Sequence, residues 1–379
     1  MNDDCKRILE KIAENKDVYE QGRMRQEAVW EGRKTSSQPI LINSFPDTED
    51  LPGKTLPYDQ IYYDKDAMLE SELRAALGAK LGGADSVPSV RANMGCGIYA
   101  TILGVKQDIF PDKMPWVSKH LSKSEIITKM SGKLSLSDDF LRGLEYMDYF
   151  AESVEGSGCR LYPMDLQGAF DTAHLVLGDS IYYELYDDPG FVHELLSFCR
   201  EAIMMGMDEC LKHIPGSGQT VCHYNGLAIP RARGGVKISE DTSTLLNLEQ
   251  IQEFAVPYTE RILRHYHGGY VHYCGRNDHL LDELLKLDSL NGLNFGQPEK
   301  HDMVGLLTRF AKNNIIYYGC LDVKPENQTY ESFFAERLKA SAASDGRSIL
   351  IPDIYCGKGE RDEITQGWER AQKLVLSVS

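Results

Sequence analysis

Nowhere in the 379 residues does an unbroken apolar run approach the roughly 20 residues that a membrane-spanning helix needs, so no membrane segment is expected. Positive charge is scarce as well: 41 Lys and Arg face 57 Asp and Glu, a formal net charge of −16. A phosphate backbone is recognised by a basic face, which argues against a nucleic-acid partner. The opening residues are charged and helical in pattern, as in Cys5-Lys6-Arg7-Ile8-Leu9-Glu10-Lys11-Ile12, and lack the apolar core of a secretion signal. Nine cysteines is an odd count in a long chain without such a signal, which points to reduced thiols and a cytoplasmic protein. Also missing are a Gly-x-Gly-x-x-Gly after an early strand, which an open dinucleotide-binding sheet would carry, and any short internal repeat or low-complexity linker.

What remains is a chain with 42% hydrophobic residues, enough for one large core, and a length that α/β barrels reach as a single unit. Residues 3–33 read as a helical extension ending near Gly32. Pro39–Asn43 is a short apolar run bounded by turn formers. A helical pattern at 66–80 leads to Asp85–Asn93 and the glycine-rich Gly95-Cys96-Gly97, then to an irregular excursion at 104–118. After a helix at 136–153, strand-like runs recur at 159–165, 219–224, 270–274, 290–296, 315–320 and 348–356, most of them separated by helical patterns. A polar, basic loop follows the run at 219–224, and a helix at 361–377 closes the chain. Eight strand-like runs alternating with helices predict a (β/α)8 TIM barrel over 38–379, preceded by an N-terminal helical extension over 1–37.

In such a barrel the C-terminal strand ends carry the chemistry, and Asp85, Asp165, His223, His272, Cys274, Cys320 and Cys356 are placed at that rim. His272-Tyr273-Cys274 is the sharpest feature. Side chains two apart on a strand share a face, so this His and Cys form a two-ligand claw for a borderline metal. With Cys356 they offer two thiolates and one imidazole, which suits zinc with an open fourth position; Cys320 is the alternative third ligand. Zinc so neutralised is a mild Lewis acid, able to keep a substrate thiol ionised where a free thiol has a pKa near about 8.5. Without a metal, His272 and Cys274 read as core residues, as do Cys96, Cys159, Cys199, Cys210 and Cys222. Arg231, Arg233 and Lys237 form either an anion-binding rim or a solvated loop.

From about residue 80 onward the chain resembles the uroporphyrinogen decarboxylase superfamily. The likeness rests on Asp165-Leu166-Gln167-Gly168-Ala169-Phe170-Asp171 with Asp187-Asp188-Pro189, on Ser239-Glu240-Asp241, on His272-Tyr273-Cys274-Gly275, and on Ile351-Pro352-Asp353-Ile354-Tyr355-Cys356-Gly357. The decarboxylase branch carries an arginine-rich motif after the first strand, whereas residues 40–46 here contain no arginine. The resemblance therefore points to the branch of zinc methyltransferases that move a methyl group between a corrinoid and an acceptor such as a thiol or tetrahydrofolate. It implies zinc on His272, Cys274 and Cys356, the two cysteines lying 82 residues apart much as in that branch. It also implies a role for Asp241 or Glu240 in orienting His272 or touching substrate, and substrate contacts from Asp85, Asp165, His223, Arg231, Arg233, Lys237, Asp241, Gln297 and Cys320. An Asp-x-His-x-x-Gly corrinoid signature is absent, so cobalamin is expected on a separate corrinoid protein, with a small-molecule methyl acceptor bound here. The competing readings are a metal-free lyase using Asp85 and the basic loop, and a non-catalytic carrier of a corrinoid or tetrapyrrole.

Overall fold

Short β-branched and aromatic runs bounded by glycine and proline need neighbours to satisfy their backbone, and in the computed structural model they find them in parallel pairs. The structure describes residues 1–33, 37–44, 53–80, 85–341, 351–356 and 361–376. Among these the strands are β1 (Leu41–Ser44), β2 (Ser89–Val90), β3 (Lys106–Asp108), β4 (Trp116–Lys119), β5 (Arg160–Leu161), β6 (Thr220–His223), β7 (Leu227–Pro230), β8 (Lys237–Ser239), β9 (Gly269–Tyr273), β10 (Leu290–Phe295), β11 (Ile316–Cys320) and β12 (Ile351–Cys356). One six-stranded sheet runs β1-β12-β11-β10-β9-β8, parallel throughout, and β2 pairs with β5, again parallel. The chain beyond β5 runs alongside β8, with Gly168 N–H donating to Ser239 O at 2.7 Å and Ser239 N–H to Leu166 O at 3.3 Å. Helices connect most of the parallel strands, which gives the α/β class expected. No helix among the described residues is long and apolar enough to cross a membrane.

Two of the strand readings change. The run 219–224, expected as a parallel strand, is one arm of an antiparallel hairpin, β6 against β7. The parallel strand in that part of the chain is instead β8, inside the segment read as a basic loop. A β-prone run declares extended backbone but not its partner, and three residues are too few to show a period. The stretch at 104–118 likewise contains a small antiparallel pair, β3 with β4.

The β6–β7 hairpin sits against the face of the sheet to which Tyr270 points. Leu227 and Ile229 pack with Trp30, Leu41, Tyr270, Ile316 and Tyr318. Gln26, with no exposed surface, holds the hairpin in place: its amide nitrogen donates to Gly226 O at 2.9 Å and Asp85 O at 2.8 Å, and its oxygen accepts from Ala228 N–H at 2.8 Å. Gln26 belongs to the second N-terminal helix, Lys16–Trp30, so the extension seals this end of the fold. The first helix, Asp3–Ala13, buries Cys5, Ile8, Leu9 and Ile12 in the main core. On the opposite face of the sheet, Val271, Tyr273, Leu293 and Phe295 join the same core, with Ile262, Leu280 and Phe310 among its helical side chains. By the period of two, His272 and Cys274 share the face of Tyr270, on the side toward the C-terminal strand ends.

Candidate metal centre

Strand β9 delivers His272 and Cys274, and β8 delivers Asp241. Ser239 is level with His272, so the chain leaving β8 passes directly beside the end of β9. Glu240 N–H donates to His272 O at 2.8 Å, and Cys274 N–H donates to Asp241 Oδ1 at 2.5 Å. The loop is held from below. The Asp171 carboxylate, on the helix Ala169–Leu177, accepts the N–H groups of Asp241 at 2.7 Å and Thr242 at 2.8 Å. Glu240, 1% exposed, accepts from Ser243 Oγ at 2.8 Å and Thr259 Oγ1 at 2.5 Å. Burial, reinforced by repulsion from Asp241 at Asp171 and from Asp171 at Glu240, pushes both above the usual carboxylate range.

The result is three donor atoms facing one point. His272 Nε2 lies 3.6 Å from Cys274 Sγ and 3.7 Å from Asp241 Oδ1, and all three atoms fall within 4.8 Å of one another. Ligands at about 2.0–2.3 Å from a tetrahedral zinc ion are separated by about 3.3–3.8 Å, so both separations from His272 Nε2 suit such an ion. His272 Nδ1–H donates to Asn294 Oδ1 at 3.0 Å, which leaves the Nε2 lone pair turned toward the other two donors. Burial, helped by Lys237, lowers the pKa of His272 and favours the neutral imidazole a metal requires. Burial and the Asp241 charge raise the Cys274 thiol to about 11, so it ionises at neutral pH only with a cation beside it. Gly296 makes room for this sulfur, since a Cβ there would lie 2.5 Å from Cys274 Sγ. Gly275, at φ +85°, turns the chain away after Cys274, and its N–H donates to Gln297 Oε1.

Next to the donors, Lys237 Nζ lies 3.5 Å and Arg91 Nη1 3.7 Å from Asp165 Oδ1, in a small cavity also lined by Tyr162, His223 and Tyr224. Burial would raise Asp165, but Lys237 and Arg91 together hold it below its ordinary value.

The structure thus gathers His272, Cys274, Asp241, Gln297, Asp165 and Lys237 into one region. Other readings move. Asp85 lies at the other end of the strands, where its backbone N–H donates to Ile40 O at 2.8 Å and its carboxylate takes Arg25 Nε at 2.8 Å and Ile40 N–H at 3.0 Å. Arg231 and Arg233 precede β8 and so sit at its N-terminal end, with Arg231 Nη1 donating to Gly234 O at 2.7 Å and stacking on Tyr266. His223 lines the cavity but is buried, with Nε2 held 3.1 Å from Gly235 O. Cys320 ends β11, two strands from β9, and stands outside the three-donor group. Cys356 ends β12, level with Ser44 of β1, and its side chain lies outside the described residues. The hydrogen bond that orients His272 comes from Asn294, not from Asp241 or Glu240. Asn294 and Arg91 were not singled out in the sequence; the only signal for Asn294 was its place on the strand neighbouring His272.

Fold and site together define an α/β protein with an imidazole–thiol–carboxylate centre at the C-terminal ends of parallel strands. No family model matches the chain, and no curated protein matches it either. Its fold is similar to that of a solved methyltransferase from Methanosarcina mazei, with a TM-score of 0.64 at 12% identity, covering 92% of this chain and 98% of that one.

Proposed function

We propose that the chain is a zinc-dependent methyltransferase of the uroporphyrinogen decarboxylase superfamily, working with a corrinoid held by a partner protein. The observation that carries this reading is the spacing of Asp241 Oδ1, His272 Nε2 and Cys274 Sγ. The likeness in fold to a methyltransferase supports it. The finer architecture proposed is a closed (β/α)8 barrel in which β1, β2, β5 with its continuation to Leu166, and β8 to β12 supply the eight parallel segments. Two links beyond the named strand pairs favour closure: Asp85 N–H to Ile40 O, and Gly168 N–H to Ser239 O.

His272 and Cys274 would hold zinc, with Asp241 or Cys356, the residue that ends the last strand, as the third ligand. Bound zinc would supply the Lewis acidity that keeps an acceptor thiol ionised and nucleophilic. The chain's own residues do the positioning. Asn294 fixes the imidazole, Asp171 and Glu240 brace the loop that presents Asp241, and the β6–β7 hairpin closes the floor. The acceptor, a thiol or tetrahydrofolate, would meet the corrinoid partner at the open C-terminal ends of the strands.

The test is metal content after purification with zinc supplied during expression. About one zinc per chain is expected, lost in His272→Ala/Cys274→Ala, with methylcobalamin demethylation depending on the same residues. Asp241→Ala and Cys356→Ala, assayed separately, identify the third ligand by which one weakens zinc more. A folded wild-type protein free of zinc would overturn the reading.

A further inference from the structure

The charges next to the donor set are built unlike the Arg337–Asp322 and Arg25–Asp85 pairs. Arg337 grips Asp322 through two hydrogen bonds, 3.1 Å from Nε and 2.6 Å from Nη2, and Arg25 meets Asp85 at 2.8 Å through Nε. Arg91 and Lys237 instead share a single oxygen of Asp165 at 3.7 and 3.5 Å, longer contacts than either of those pairs makes. Arg91 is only 8% exposed, yet its buried Nε–H has no hydrogen-bond partner. Its Nη2 donates to Asn93 Oδ1 at 3.2 Å, and its guanidinium lies over the Tyr162 ring. Lys237 Nζ donates to Ser239 Oγ. Behind Arg91, Glu72 is taken up by the Asn93 amide at 3.0 Å and the Arg91 backbone N–H at 3.4 Å. Two cations therefore face the cavity with one loosely engaged carboxylate between them. Leaving buried charge so slackly paired is costly, and a structural pair would close onto its partner as Arg337 does.

The location gives this slack a use. Lys237 is level with Tyr270, two residues below His272 on the same face, a rise of roughly 7 Å along a strand. A short molecule whose reactive atom sits at the donor set can place its other end between Arg91 and Lys237. Two cations on the cavity wall suit an anion, and a guanidinium edge with a free N–H suits a planar carboxylate.

We propose that Arg91 and Lys237 form a carboxylate-binding subsite that anchors the substrate while its reactive atom lies at Asp241, His272 and Cys274. Only the second half of that statement rests on the methyltransferase reading; carboxylate capture by Arg91 and Lys237 needs no metal.

The test is calorimetric titration of the full chain, with and without zinc, using 3-mercaptopropionate, its neutral analogue 3-mercaptopropanol, and propionate. With zinc, the charged thiol should bind at least about tenfold more tightly than the neutral one, as a charge-assisted contact warrants. Lys237→Met, which keeps the apolar stem, should abolish that preference, and Lys237→Arg should retain it. Equal affinity of the two thiols for wild type, or an undiminished preference in Lys237→Met, would overturn the subsite while leaving a zinc-dependent thiol site intact. Propionate bound by zinc-free wild type but not by Lys237→Met would support the subsite even if neither thiol responded to zinc, an outcome that would count against the metal reading alone. Inorganic phosphate preferred over propionate would overturn the carboxylate assignment.

Discussion

Replacing Asn294 by leucine tests whether the orientation of His272 is what makes it a metal ligand. The change keeps roughly the same shape and removes the acceptor of the 3.0 Å bond from Nδ1–H. Without that acceptor the ring is free to carry its proton on Nε2 instead, pointing it toward Asp241 Oδ1, 3.7 Å away. Metal binding must then reverse the tautomer and leave a buried N–H without a partner, which costs about 1–3 kcal/mol. Loss of a residue that orients a metal-bound histidine typically weakens the metal by about 10–100-fold, or about 1.4–2.8 kcal/mol, so two independent routes reach the same size. Competition against a chromophoric zinc chelator should show that loss in Asn294→Leu, whereas Asn294→Asp, which still accepts from Nδ1–H, should bind at least as well as wild type. A dissociation constant for Asn294→Leu within twofold of wild type would refute the argument that Asn294 sets the tautomer.

Two further outcomes follow from the floor beneath the site. Burial, the main cause, pushes His223 down to about 3 from an ordinary value of 6.5. A base whose folded pKa is depressed binds fewer protons than the unfolded chain, so its stabilising contribution is whole above pH 6.5 and is lost as pH falls toward 3. Between pH 7 and 4.5 this group alone should remove roughly 2–3 kcal/mol. Urea unfolding of His223→Gln, which keeps an N–H donor for Gly235 O, should show a correspondingly smaller acid loss; an unchanged loss would count against a neutral buried imidazole. Ile229, with no exposed surface, packs on Trp30, Leu41, Tyr270, Ile316 and Tyr318, so Ile229→Ala should cost about 2–5 kcal/mol in the same assay. A cost below about 1 kcal/mol would mean that the hairpin is not packed against the sheet.

Much of this molecule was readable in order along the chain because the information is local. The alternation of strand and helix follows from short β-prone runs between helical periods, and the shared face of His272 and Cys274 follows from the two-residue period of a strand, whatever lies beside it. The sequence also places Asp165 at the same rim, since it ends a strand-like run, whereas Lys237 reads as part of a basic loop and proves to open β8. What failed was the question of partners. Thr220–His223 is as β-prone as any true parallel strand, and only the return of Leu227–Pro230 makes it a hairpin. Arg231 and Arg233 fall with Lys237 into one basic loop in the sequence, but they end before β8 begins, so they stay at its N-terminal end while the donors gather past its C-terminal end. Asp85, plausible as a rim carboxylate, is used up by Arg25 and Ile40, contacts that span 60 and 45 residues.

The third donor shows the division most clearly. Asp241 is 31 residues from His272; the resemblance implies that it orients His272 or touches substrate, but not that it is a donor beside Nε2. It reaches Nε2 because β8 pairs with β9 in a register that sets Ser239 level with His272, and because Asp171, from a helix farther back, holds the loop that follows. Asn294 enters by the same route, through the register of β10 on β9. Chain-local periodicity decides which side chains share a face, whereas strand order and register decide which faces meet. The second depends on the free energy of contacts distributed over the entire core, so it is settled only when the chain has folded.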